Sequence, residues 1–108
     1  MINNELKKFI KKEDLRLKKY YPNIKDSEKR ILARTVKLTE ELGELCNEVL
    51  YYNSMQRKEK STIHDPSNLS KEFADVIIVT LLLAEVMKVD VEKGLREKMK
   101  KINRKYKK

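Results

Sequence analysis

Residues 31–52, ILARTVKLTEELGELCNEVLYY, decide the architecture. Ile31, Thr35, Leu38, Leu42, Leu45, Val49 and Tyr52 recur in alternating steps of four and three, the spacing that keeps one face of an α-helix on a continuous seam. A strand would need alternation every second residue, which the segment lacks. The helix is predicted to start at an Asp26 or Ser27 cap and to run to about Asn53.

Working outward, the spacing of Leu6, Phe9, Ile10 and Leu17 predicts a first helix from Asn3 to Tyr20, ended by Tyr21-Pro22-Asn23. On the other side, a polar connection from Ser54 to His64 leads to Asp65-Pro66, an N-cap and first helical position. These open a third helix that ends near Lys88. It carries Phe73, Val76, Ile77, Ile78, Val79, Leu81, Leu82 and Leu83, apolar almost all round, and such a helix must be covered on most sides. After a short Val89-Asp90 joint, Asp90 caps a fourth helix with Val91, Leu95, Met99, Ile102 and Tyr106 on one face.

The expected fold is therefore all-α, four helices in a single domain over residues 1–108, with 1–25 as an N-terminal helix and turn and 26–108 as the core. Four helices from so short a chain cannot enclose the third, so the bundle is expected to be completed by a homodimer or homotetramer.

Composition agrees and adds a charge. Only 2 Gly and 2 Pro occur in 108 residues, and 40% of residues are charged, which favours long helices. The 26 Lys+Arg outnumber the 17 Asp+Glu, giving +9; the partner is expected to be anionic, without a choice among nucleic acid, membrane surface and phosphorylated small molecule. Cys46, the single cysteine, permits no intrachain disulfide and reads as a core thiol. Met1 to Lys12 is polar and basic, unlike a signal peptide. The apolar run Val76 to Ala84 is far short of the ~20 residues of a membrane span. A cytoplasmic protein without membrane contact is expected. No P-loop, Gly-rich phosphate loop, zinc spacing or Ser/His/Asp set is present, and the lone His64 sits in a polar connection.

The acidic residues carry more information. Glu40, Glu41 and Glu44 share a face of the second helix, and Glu72 and Asp75, three apart, do so on the third. Both groups adjoin core positions: Leu42 and Leu45 on one helix, Phe73 and Val76 on the other. Neighbouring packing of these helices would bring four carboxylates together, where mutual repulsion and partial burial raise their pKa values and cost stability. A hard divalent cation removes that cost, and carboxylate-only ligation suits Mg²⁺, or Mn²⁺ in its place. Taken singly, acidic pairs at helical spacing are ordinary solvated surface; two of them on facing core helices are not.

Glu40-Glu41-x-x-Glu44 and Glu72-x-x-Asp75, with 27 residues between Glu44 and Glu72, resemble the all-α nucleoside triphosphate pyrophosphatase superfamily, the MazG-like and dCTP-pyrophosphatase-like enzymes. The wording at 37–45 and 72–76 is similar to the family's, and Lys98-Met99-x-x-Ile102-x-x-Lys105-Tyr106 resembles its basic last-helix segment. The resemblance covers about residues 30–106. It implies an oligomeric helical bundle that uses Mg²⁺ to hydrolyse a nucleoside triphosphate to the monophosphate and pyrophosphate. It further implies Glu41, Glu44, Glu72 and Asp75 as metal ligands and Glu40 as a carboxylate orienting the attacking water, with Glu41 also acting in catalysis. Lys98, Lys101, Arg104 and Lys105 would hold phosphates, and Tyr52, with Tyr51 and Phe73 as alternatives, is a candidate to stack the base. Ile102 stands where the dCTP-type pattern has Asn, and the chain has no Trp. The competing expectation is a non-enzymatic basic helical protein that binds nucleic acid or a protein partner; no helix-turn-helix signature supports it.

Overall fold

The computed structural model describes residues 1–53 and 66–106. Four helices follow one another: α1 (Asn4–Tyr20), α2 (Ser27–Tyr52), α3 (Pro66–Met87) and α4 (Val91–Arg104). The all-α expectation is met, and each element lies within a residue or two of its predicted bounds. The Ser54–His64 connection, His64 and the Asp65 cap lie outside the described residues.

Three helices begin on a side chain that satisfies an otherwise orphaned backbone N–H. Asn3 Oδ1 accepts from the Leu6 N–H at 2.9 Å, Asp26 Oδ1 from the Glu28 N–H at 2.9 Å, and Asp90 Oδ1 from the Lys93 N–H at 3.0 Å. The α3–α4 joint turns at Lys88, whose φ of 58° is left-handed. The Val89 N–H then reaches back to the Ala84 carbonyl at 2.9 Å, a helix-ending arrangement in which Gly is the usual residue.

α2 packs along α3, and α1 packs on α3 beside them; α4 makes no comparable pairing among the described residues. The face that α2 buries only partly matches the expected seam: Ile31, Leu38, Leu45 and Val49 are half-buried. Arg34 and Glu41 are its most buried residues, while Thr35, Leu42 and Tyr52 are exposed. The packed face is rotated toward the Arg34–Glu41 side because charged groups there meet partners that no apolar seam would supply. Cys46 follows from the same rotation: it is exposed, not a core thiol.

The central partner is Arg34. Its Nη1 donates to the Leu82 carbonyl of α3 at 2.7 Å and contacts Asp14 Oδ1 of α1 at 2.6 Å. Asp14 also pairs with Lys18 Nζ at 3.0 Å. Burial pushes the Asp14 carboxyl up, but Lys18 and Arg34 together outweigh it and hold it below the ordinary carboxylate value. Ile10 and Leu82 are the only buried apolar residues among the described ones, and neither is fully enclosed, so this ion pair sits where a larger domain would have hydrocarbon.

The radius of gyration is 17.2 Å, against about 13 Å for a compact domain of this length. The accessible surface is 9051 Å², against about 6,300 Å² for a folded monomer of this mass. One chain alone is an open arrangement.

Replacing Asp14 with Ala leaves a buried guanidinium without its counter-charge and is expected to cost about 3 kcal/mol in urea unfolding. The wild-type carboxyl is depressed on folding. Its contribution is therefore complete above the unfolded carboxylate value of about 3.9 and lost as pH falls through the lower folded value. That acid-side loss should be reduced in Asp14→Ala.

Candidate metal centre

Glu41 faces α3 because it stands two turns beyond Arg34 on the buried side of α2. Glu72 and Asp75, one turn apart near the start of α3, face back. The three residues each offer a carboxylate oxygen within 4.8 Å of the others. Glu41 is buried, Glu72 half-buried and Asp75 exposed, so the cluster opens from the α2–α3 contact toward solvent.

Two oxygens define its inner wall. Glu41 Oε2 and Glu72 Oε2 are buried and accept no hydrogen bond. A buried carboxylate oxygen without a donor is expensive. Burial raises the Glu72 carboxyl, and the charges of Glu44, Asp75, Glu41 and Glu48 raise it further. The donor set fits a hard divalent ion: oxygens only, mutually repelling, two of them unsatisfied.

Glu44 lies outside the triad yet near enough for its charge to be felt at Glu72. The expectation of four converging carboxylates is thus met by three, with the fourth at their edge. Glu48 was not anticipated, although its signal was present: Glu41, Glu44 and Glu48 follow the three-then-four spacing of a single helix face.

Glu40 is exposed, 3.5 Å from Lys37 Nζ; the same ammonium lies 3.2 Å from Glu41 Oε1. Lys37 is held above the ordinary lysine value, chiefly by its hydrogen bond to Glu41 and that carboxylate's charge. Tyr52, at the end of α2, meets Tyr51 edge-on with ring centroids 5.5 Å apart.

The α4 cations stand apart from this centre. Lys98, Lys101, Arg104 and Lys105 are all exposed, and no ion pair among the described residues joins them to α2 or α3. α4 is tied down at its first turn, where Glu92 accepts from the Ile2 N–H at 2.9 Å and pairs with Lys7 at 3.0 Å. The Ile2 hydrogen bond and Lys7 lower the Glu92 carboxyl to about 2.

Among the described residues, no helix is long and apolar enough to cross a membrane. The model of the MazG nucleotide pyrophosphohydrolase domain matches residues 28–108. The chain is also 35% identical over 72 residues to the uncharacterized protein YpjD of Bacillus subtilis (strain 168), a stretch covering 67% of this chain and 63% of that protein. The chain therefore spans less than two thirds of that relative's length. No solved structure matches it. The matched segment contains α2 from Glu28 onward and all of α3 and α4, with every carboxylate of the cluster, and the chain belongs to the MazG nucleotide pyrophosphohydrolase domain family.

Proposed function

We propose that this chain is a Mg²⁺-dependent nucleoside triphosphate pyrophosphohydrolase that converts a (d)NTP and water to the monophosphate and pyrophosphate in the cytoplasm. The observation that carries the reading is the triad of Glu41, Glu72 and Asp75, with two buried, unsatisfied oxygens, in a chain of this family.

Glu41, Glu72 and Asp75 would hold the ion, with Glu44 completing the set from one turn further along α2. When bound, Mg²⁺ (or Mn²⁺) supplies charge neutralisation on phosphate oxygens and acidifies a coordinated water. Glu40, exposed beside the cluster, is the carboxylate to orient that water or take its proton. Lys98, Lys101, Arg104 and Lys105 would neutralise the departing pyrophosphate, and Tyr52 would offer a ring to the base.

For the α4 residues to act, α4 must dock. Leu95, Met99, Ile102 and Tyr106 are 41%, 51%, 42% and 81% exposed and form one apolar stripe. Lys98, Lys101 and Lys105 flank that stripe on the adjoining face. Phe73, Ile77 and Met87 on α3, and Leu32, Val36 and Leu50 on α2, are exposed in the same way. The accessible surface of one chain, 9051 Å², exceeds that of a compact monomer by about 2,700 Å², more than the roughly 1,000–2,500 Å² per partner that an obligate homodimer buries. A homodimer or homotetramer that buries these stripes is the functional species in this reading.

Pyrophosphate release from a panel of ribo- and deoxyribonucleoside triphosphates tests the activity. Mg²⁺-dependent release is expected from the wild type, with a loss of at least about a hundredfold in Glu41→Gln and none in EDTA. Absence of release from every triphosphate by the folded, metal-loaded protein would sink the reading.

The metal has its own readout. Glu72→Gln removes one repelling charge, so its metal-free melting temperature should exceed that of the wild type at neutral pH. Adding Mg²⁺ should raise the wild-type value by mass action and leave Glu72→Gln nearly unmoved. For the assembly, Met99→Glu places a charge in the α4 stripe. It should shift the molar mass in analytical ultracentrifugation toward the monomer and reduce hydrolysis in parallel.

A further inference from the structure

Arg30, Arg34, Lys37, Glu41, Glu44 and Glu48 follow one another on α2 in steps of four and three, a single charged stripe with cations in its first half and carboxylates in its second. The acidic half is the metal centre. The basic half lines a crevice of about 260 Å³ between α1 and α2, whose remaining wall includes Leu17, Tyr21 and Ile24. Among the described residues no carboxylate lines it. Arg34 is committed to Asp14 and Leu82. The half-buried Arg30 makes no ion pair among the described residues, and its Nε is buried without an acceptor. A buried, unsatisfied guanidinium N–H on an apolar-walled crevice calls for an anionic or carbonyl oxygen.

Lys37 belongs to both halves. It lines the crevice, and its ammonium rests against Glu41 Oε1 and Glu40 Oε2 at 3.2 and 3.5 Å. One turn of helix, about 6 Å of axial rise, separates it from Glu41. An ammonium and a divalent cation compete for the same carboxylate charge.

We propose that Lys37 and the α1–α2 crevice form the anion-binding arm of this site. In the metal-free protein the Lys37 ammonium neutralises Glu41. When a divalent cation takes that carboxylate, Lys37 turns toward the crevice and holds oxygens of the metal-bound nucleotide polyphosphate, with Arg30 as the second cation of the arm. The inference rests on the metal-dependent nucleotide reading above. It makes Lys37 a substrate-binding residue distinct from the α4 cations.

The two roles have opposite signs in one variant. Mn²⁺ affinity is measured by electron paramagnetic resonance, and affinity for an imido-linked, non-hydrolysable triphosphate by calorimetry, on the full chain. Lys37→Met should bind Mn²⁺ about threefold more tightly, because a competing surface ion pair is gone. It should bind the metal-loaded analogue about tenfold more weakly. Arg30→Met should weaken the analogue and leave Mn²⁺ unchanged, and Lys37→Arg should recover much of the analogue binding. The helical circular dichroism of each variant confirms folding; Lys37 is 56% exposed, so its substitution is tolerated. Weaker or unchanged Mn²⁺ binding in Lys37→Met overturns the proposal, since it would mean that Lys37 only positions Glu41. Failure of the wild type itself to bind Mn²⁺ overturns both the proposal and the metal reading.

Discussion

The guanidinium of Arg34 joins three helices at one point: its own α2, the α3 backbone through the Leu82 carbonyl, and α1 through Asp14. A pair this buried stabilises little against a hydrocarbon alternative, but losing either partner is costly. Its value here lies in fixing rotation. α2 cannot turn about its axis without stranding Arg34, and that rotation decides which residues meet α3. With Arg34 inward, Glu41 two turns on is inward as well, opposite Glu72 and Asp75. The polar pin and the acidic cluster are thus two consequences of one helix setting.

The cluster is electrostatically unfavourable when empty. Glu72 is raised by burial and by four neighbouring carboxylates, and two of the cluster's oxygens lack donors. Such an arrangement trades stability for affinity toward a cation. The basic half of the α2 stripe sits beside it, so cation-binding and anion-binding chemistry share one helix face. That juxtaposition suits a ligand carrying both, a metal-bound phosphate chain.

Much of this was legible in the sequence. Helix order, the Asp26 and Asp90 caps and the acidic pairs on α2 and α3 follow from spacing and capping chemistry, because local rules govern them. Rotation of α2 was less accessible. A hydrophobic seam at Ile31, Leu38, Leu42 and Leu45 competes with a charged stripe of the same period, and hydropathy favours the seam. The tertiary partners of Arg34 shift the packed face part of a turn, leaving Ile31, Leu38 and Leu45 half-buried while Leu42 and Cys46 turn outward. Glu48 was readable from its spacing but overshadowed by the tighter Glu40-Glu41-x-x-Glu44 group. The reversal at Lys88 carried no signal, since Lys is not a residue that announces a left-handed turn. That α4 would pair with neither α2 nor α3 among the described residues of one chain was not legible.

The attachment of α4 has one more consequence. Glu92 fastens the first turn to the start of α1, and the Lys88 turn joins it directly to α3, while the rest of the helix stays exposed. A helix held at one end has already surrendered most of its translational freedom. Any surface within its sweep therefore meets it at a high effective concentration, and the entropy lost on docking is chiefly rotational. In the proposed assembly, modest contacts along Leu95, Met99 and Ile102 would then be enough to seat it without the first turn letting go.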